Sequence, residues 1–267
     1  MEKASKIYLK QVRELLREKD ARRRDGVFVA EGRKVVHDLI AKGHSVDSAL
    51  VSADFMSGES ELSAHLEAKN VPVFYVGNTE FNRVSSLKSP QGVIAILKEK
   101  HCTLKELRSM KPEFVVLCDG LQDPGNLGAI IRNSTAFGVG CLILTGNAVD
   151  VYNPKVIRSS SGTVLDISVI SCSYSELDRL KTDGYKVFVS HVDSNTASRI
   201  EEIKKLPRLL IVAFGSEGQG VSKEIINRAD GFFHIPISAD VESLNVTSAS
   251  AISLYEFNKA RTQINAG

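Results

Sequence analysis

The hydrophobic pattern of this chain changes period repeatedly, and the changes outline an alternation of helices and strands. Residues 1–25 are polar and basic with a thin apolar stripe at Ile7, Val12, Leu15 and Leu16, which predicts an amphipathic helix. A short apolar run at 26–30 predicts a strand. The next segment, 31–41, carries Val35, Val36, Leu39 and Ile40 and predicts a helix that Gly43 is placed to end. Further strands are expected at 48–51, 71–76 and 92–97, with helices at 60–69 and 79–87. These elements make a small α/β unit over 1–97, and the polar, charged stretch 98–112 reads as a linker. A second unit, 113–267, alternates strands at 114–118, 141–144, 166–170, 185–189, 209–214 and 232–235 with helices at 126–137, 153–160, 175–182, 221–229 and 244–262. That alternation implies a parallel sheet with helices on its faces.

Composition narrows the class without naming a function. With 267 residues, 43% hydrophobic and 25% charged, the chain suits an ordinary globular protein of one or two domains. Its longest apolar runs, such as 209–214, fall far short of the ~20 residues that cross a bilayer, and the N-terminus is charged. A cytoplasmic protein with no membrane partner is expected. Cys102, Cys118, Cys141 and Cys172 form no CxxC pair, which argues against a disulfide framework or a zinc site. The histidines include no HExxH, so no metal is expected. The net charge of +2 is small, yet Lys3, Lys6, Lys10, Arg13, Arg17, Lys19, Arg22, Arg23 and Arg24 crowd the start. That arm suits phosphate contacts with counterion release. Interleaved Glu14, Glu18, Asp20 and Asp25 suit a solvated helix with local pairs worth ~0.2–0.5 kcal/mol each, and both readings stand.

Three stretches of the second unit each follow a predicted strand, where parallel α/β sheets collect ligands. In 119–132 (DGLQDPGNLGAIIR), Asn126 is placed to cap the following helix, and Arg132 sits one and a half turns in, suited to phosphate or ribose. An ordinary turn with a surface arginine explains the same residues. In 214–221 (FGSEGQGV) the glycine spacing matches neither the dinucleotide fingerprint nor a Walker A loop. What remains is a loop of little bulk with one carboxylate, Glu217, and a helix start at Val221; Glu217 reads equally as a helix-start charge. In 235–246 (IPISADVESLNV), Ser243 stands at an N-cap position, and Asn245 and Ser248 offer short hydrogen-bonding side chains.

Taken together and in this order, the three stretches resemble the three motifs of the SpoU (TrmH-like) RNA 2′-O-ribose methyltransferases of the SPOUT superfamily. Residues 22–36, with FVAEG at 28–32, resemble the small ribosomal-protein-like RNA-binding domain that precedes the catalytic domain in many members acting on ribosomal RNA. The resemblance implies an α/β fold with a SPOUT-type parallel sheet, a C-terminal trefoil knot and a homodimer that binds S-adenosylmethionine (SAM). It places SAM on Gly215, Ile235 and Leu244 with Thr145 nearby, and the reacting centre on Asn126, Arg132, Glu217, Ser243 and Asn245. Asp123 stands where the family usually has Asn, and Ile237 and Ala239 where Met and Gly are common. The implied activity is SAM-dependent 2′-O-methylation of structured RNA, above all large-subunit (23S) ribosomal RNA. A transfer RNA methylase, a drug-resistance ribosomal RNA methylase and a non-catalytic RNA-binding or ribosome-assembly factor remain as alternatives.

Overall fold

The computed structural model of the chain describes residues 1–58, 60–191, 196–203 and 205–265. It contains two compact units: Met1–Lys100 together with Asp150–Leu165, and His101–Val149 together with Asp166–Gly267.

The first unit begins with helix Lys6–Arg17, opened by Ser5, whose hydroxyl accepts from the Tyr8 backbone N–H at 3.1 Å. Its inward face is Tyr8, Val12, Leu15 and Leu16, an i, i+4, i+7, i+8 stripe. Ile7 lies about 100° round the axis from Tyr8 and is 83% exposed, so it does not belong to the stripe expected from sequence. Glu18, in extended conformation, breaks the single helix expected over 1–25, and a second helix follows at Lys19–Asp25. Strands β1 (Glu2–Lys3), β2 (Val27–Glu31), β3 (Val46–Ser52), β4 (Val73–Val76) and β5 (Val93–Lys98) form one sheet in the order β1-β4-β3-β5-β2. The pairs β1/β4 and β4/β3 are parallel, whereas β5 is antiparallel to β3 and β2.

Strand β2 is buried on both faces, and alternation explains how. Val27 and Val29 join Val12, Leu15 and Leu16 in one core. Phe28 points the other way and stacks on Tyr152, ring centroids 4.9 Å apart. Tyr152 belongs to the excursion Asp150–Leu165, whose helix Pro154–Ser159 buries Val156 and Ile157. A buried ion pair fastens the excursion: Arg22 donates to Asp150 Oδ2 at 2.6 and 3.2 Å and to the Leu15 carbonyl at 2.8 Å. Arg22 is 2% exposed, so it is a structural member of the basic arm and not available to phosphate. Sequence places 150–165 in the second unit; tertiary packing groups it with the first.

In the second unit, β6 (Phe114–Asp119), β7 (Cys141–Thr145), β8 (Ser168–Ser171), β9 (Lys186–Ser190), β10 (Ser198–Arg199), β11 (Leu210–Gly215) and β12 (Gly231–His234) form a sheet ordered β10-β12-β9-β11-β6-β7-β8. Every pair is parallel, as the alternating pattern predicts. Adjacent β11, β6 and β7 read as continuous apolar runs because helices and loops cover both faces. The stretch read as a linker contains helix Leu104–Met110, closed at its start by a Thr103/Glu106 capping box, with Leu107 fully buried in the second core. Leu107 and the partly buried Leu104, set among charged neighbours in a seven-residue segment, make too short a period to announce a helix. At the far end, helix Val246–Asn265 packs on helix Pro124–Ala136, where Asn133 donates to the Thr247 carbonyl at 3.2 Å and to Ser250 Oγ at 3.1 Å. Among the described residues no helix is long and apolar enough to cross a membrane.

Replacing Arg22 by Ala strips Asp150, only 14% exposed at its side chain, of its counterion. Breaking such a pair costs about 3–5 kcal/mol. The expected result is a lower denaturant midpoint; an unchanged midpoint would mean that apolar contacts alone hold the excursion.

Candidate active site

Parallel register lines up the origins of the site. Gly215 of β11 pairs with Asp119 of β6, and Asp119 with Thr145 of β7, so two of the three loops and the turn after Thr145 leave the sheet from one edge. The Asp119 side chain joins them further. Its Oδ1 accepts from Thr145 Oγ1 at 2.7 Å and from the Tyr174 hydroxyl at 2.9 Å, and its Oδ2 accepts from the Ser222 backbone N–H at 2.8 Å. Burial opposes ionisation of this carboxyl, but these donors outweigh it and hold it below the ordinary aspartate value. The preceding Cys118 is sealed in the sheet, and burial pushes its thiol up to about 12, so it supplies no nucleophile.

Helix Pro124–Ala136 is capped by Asp123, not by Asn126 as expected: Asp123 Oδ1 accepts from the Asn126 backbone N–H at 2.9 Å, and Pro124 fills the first helical position. The Asn126 side chain is thereby released from capping and donates to Glu217 Oε1 in the second loop. Arg132 is exposed six residues further along, roughly 120° round the helix from Asn126.

The second loop folds back on itself at Gly215. A Cβ there would stand 2.0 Å from the Gly220 carbonyl carbon and 2.2 Å from the Val221 nitrogen, so no other residue fits without displacing backbone. Ser216 N–H donates to Gly220 O at 3.1 Å and Gly220 N–H to Ser216 O at 2.9 Å, leaving Glu217, Gly218 and Gln219 at an exposed tip. The next helix starts at Lys223, later than the predicted Val221, so Glu217 is no helix-start charge.

In the third loop Asn245, not Ser243, opens the terminal helix: its Oδ1 accepts from the Thr247 N–H at 2.8 Å and the Thr247 hydroxyl at 2.6 Å, and the helix begins at Val246. Ala239 has no positive φ, so alanine in place of the family's glycine carries no backbone strain.

Loops two and three face each other across a cleft of about 760 Å³. Gly215, Glu217, Ile235, Ser243 and Leu244 line it, with Ala249 beside them and the buried Phe214 and Val246 behind its wall. Asn126 connects to this rim through Glu217, whereas Thr145, Arg132 and Asn245 stand outside the lining. The sequence reading missed Asp119 as a hub, together with Tyr174 and Asn133. An aspartate closing an otherwise apolar strand was the available signal; its partners come from distant segments and leave none.

Residues 113–255, more than half of the chain, match the SpoU rRNA Methylase family. The chain belongs to this family. Residues 6–95 match an MRM3-like substrate binding domain. The chain is 28% identical over 241 residues to a Bacillus subtilis 23S rRNA (guanosine(2553)-2′-O)-methyltransferase, covering 90% of this chain and 92% of that protein. It is 31% identical to an uncharacterized tRNA/rRNA methyltransferase of Synechocystis, covering 93% and 89% respectively. Among solved structures it resembles an AdoMet-bound rRNA methyltransferase from Sinorhizobium meliloti, with TM-score 0.81, 25% identity and coverage of 98% and 97%.

Asp119→Ala orphans the hydroxyls of Thr145 and Tyr174 and the Ser222 N–H, at about 1–3 kcal/mol for each group left buried and unpaired. Because the folded-state pKa of Asp119 is depressed, its contribution is fully present above the unfolded aspartate value of ~3.9 and is lost as pH falls through the lower folded value. Unfolding midpoints should therefore separate wild type from Asp119→Asn at pH 6 and converge as the medium is acidified below about pH 4. A gap independent of pH would rule out this ionisation.

Proposed function

We propose that this family member transfers a methyl group from SAM to a ribose 2′-hydroxyl of large-subunit ribosomal RNA, with the first unit holding the RNA. The observation that carries the reading is the cleft between the Gly215–Val221 and Ile235–Leu244 loops, joined through Glu217 to Asn126 of the remaining motif. Its volume falls within the ~300–1,000 Å³ of small-molecule sites. The residues fit the cofactor: Gly218 and Gly220 of the 216–220 turn offer bare backbone, and the half-buried Ile235 and Leu244 offer apolar surface for a purine. SAM bound there supplies an electrophilic methyl on a positively charged sulfur.

The protein's own part is positional. With SAM held there, a ribose 2′-oxygen approaching in line would form the C–O bond as the S–C bond breaks, the sulfur would leave as a neutral thioether, and the hydroxyl proton would pass to solvent water. Holding the reactants in that geometry is worth ~7–11 kcal/mol, which lowers the demand for a strong base. Ser243 and Glu217 present a hydroxyl and a carboxylate at the cleft, and Asn126 fixes Glu217. Arginine is effectively always protonated, so Arg132 acts as a clamp on phosphate or ribose and stabilises the developing alkoxide, rather than removing the proton. The same reading has the C-terminal segment knotted and the chain paired with a second copy. Exposed Ile252 and Tyr255 on the terminal helix are apolar surface suited to such a copy.

Labelled SAM incubated with RNA lacking the modification should place label at one 2′-oxygen of 23S ribosomal RNA. Label in transfer RNA would move the substrate, and cofactor binding without transfer would make the protein a binder. Gly215→Ala should abolish cofactor binding by calorimetry. Sedimentation should give a dimer, and a stable monomer would overturn that part of the reading.

A further inference from the structure

Helices Arg33–Ala41 and Ser60–Ala68 of the first unit bring together His37, Glu61 and His65, none of which the methyl-transfer reading uses. Glu61 and His65 are four residues apart on one helix and so stand on the same face. His37 meets them from the neighbouring helix, and one nitrogen or carboxylate oxygen from each residue lies within 4.8 Å of the others. His37 Nε2 is 3.6 Å from Glu61 Oε1. That is long for a hydrogen bond. It is close to the spacing of about 3.4 Å between two ligands of one tetrahedral zinc, each bonded at about 2.0–2.2 Å.

Two further observations point the same way. The other nitrogen of His37, Nδ1, lies 3.6 Å from Asp38 Oδ1, too far for a hydrogen bond but close enough for the carboxylate to add negative charge beside the imidazole. His65 Nδ1 is buried with no hydrogen-bond partner among the described residues, a costly state for a ring nitrogen that a bound ligand would relieve.

We propose that His37, Glu61 and His65 form a site for one divalent ion of the zinc class, which braces the two helices of the first unit. Two imidazoles and a carboxylate favour zinc over magnesium or calcium, which prefer all-oxygen sets, and three protein ligands leave a fourth position for water. The site is independent of the methyl-transfer reading.

The full chain, stripped with EDTA, is titrated with zinc chloride by calorimetry while its thermal midpoint is followed. The expected result is one ion per chain and a midpoint that rises until one equivalent is added. Both effects vanish in His37→Ala/His65→Ala. Glu61→Gln, at a side chain 76% exposed, carries the test should the double variant misfold by circular dichroism. Cobalt substituted for zinc should show no thiolate charge-transfer band. No uptake by the wild-type chain, uptake undiminished in the variants, or a thiolate band would each overturn the proposal.

Discussion

Three adjacent strands ending level with one another are the constraint from which the candidate site follows. Neighbouring strands lie about 4.8 Å apart, so the shared register of Thr145, Asp119 and Gly215 confines the loops beyond them to a width of roughly 10 Å. Asp119 sits on the middle strand, 3% exposed, and the dry surroundings strengthen the bonds it accepts. A one-residue slip would turn its carboxylate to the other face of the sheet and free the Ser222 end of the second loop. Loop geometry here is inherited from strand pairing.

The helix that follows the first motif shows how small side-chain choices build on that frame. Asp123 caps and Pro124 starts the helix, and together they relieve Asn126 of backbone duty. An asparagine at the same place in the chain thus becomes a bridge between two motifs. Asn245 goes the other way: it lies inside the third motif, yet its carboxamide oxygen is committed to Thr247 and the opening of the terminal helix.

Much of the architecture was legible in the sequence, because strand runs such as Leu210–Gly215 and the helical stripe around Val12 and Leu15 are local patterns with a clear period. Short or sparsely apolar elements were not: β10 spans two residues, and helix Leu104–Met110 turns one fully buried leucine inward. Within the candidate site, the turns after Phe214 and Ile235 were legible as low-bulk loops following strands, and only the family resemblance assigned Gly215, Glu217 and the 235–244 loop to one centre. The hub at Asp119 was not, since three donors from Thr145, Tyr174 and Ser222 meet it across 26, 55 and 103 residues of sequence. The split between the units was hidden for the same reason, as the Arg22–Asp150 pair spans 128 residues.

That pair belongs to an excursion with a topological effect. Because Asp150–Leu165 folds with the first unit while the segments on either side fold with the second, the polypeptide crosses between the units at residues 100–101, 149–150 and 165–166. The two halves are therefore sewn together rather than strung on one thread. No single cut releases either half whole: a fragment beginning at residue 101 drags along Tyr152, Val156 and Ile157 with nothing to cover them, and the matching fragment ending at residue 100 lacks the ring that covers Phe28. Grafting a different first unit onto this chain would have to splice at three places at once.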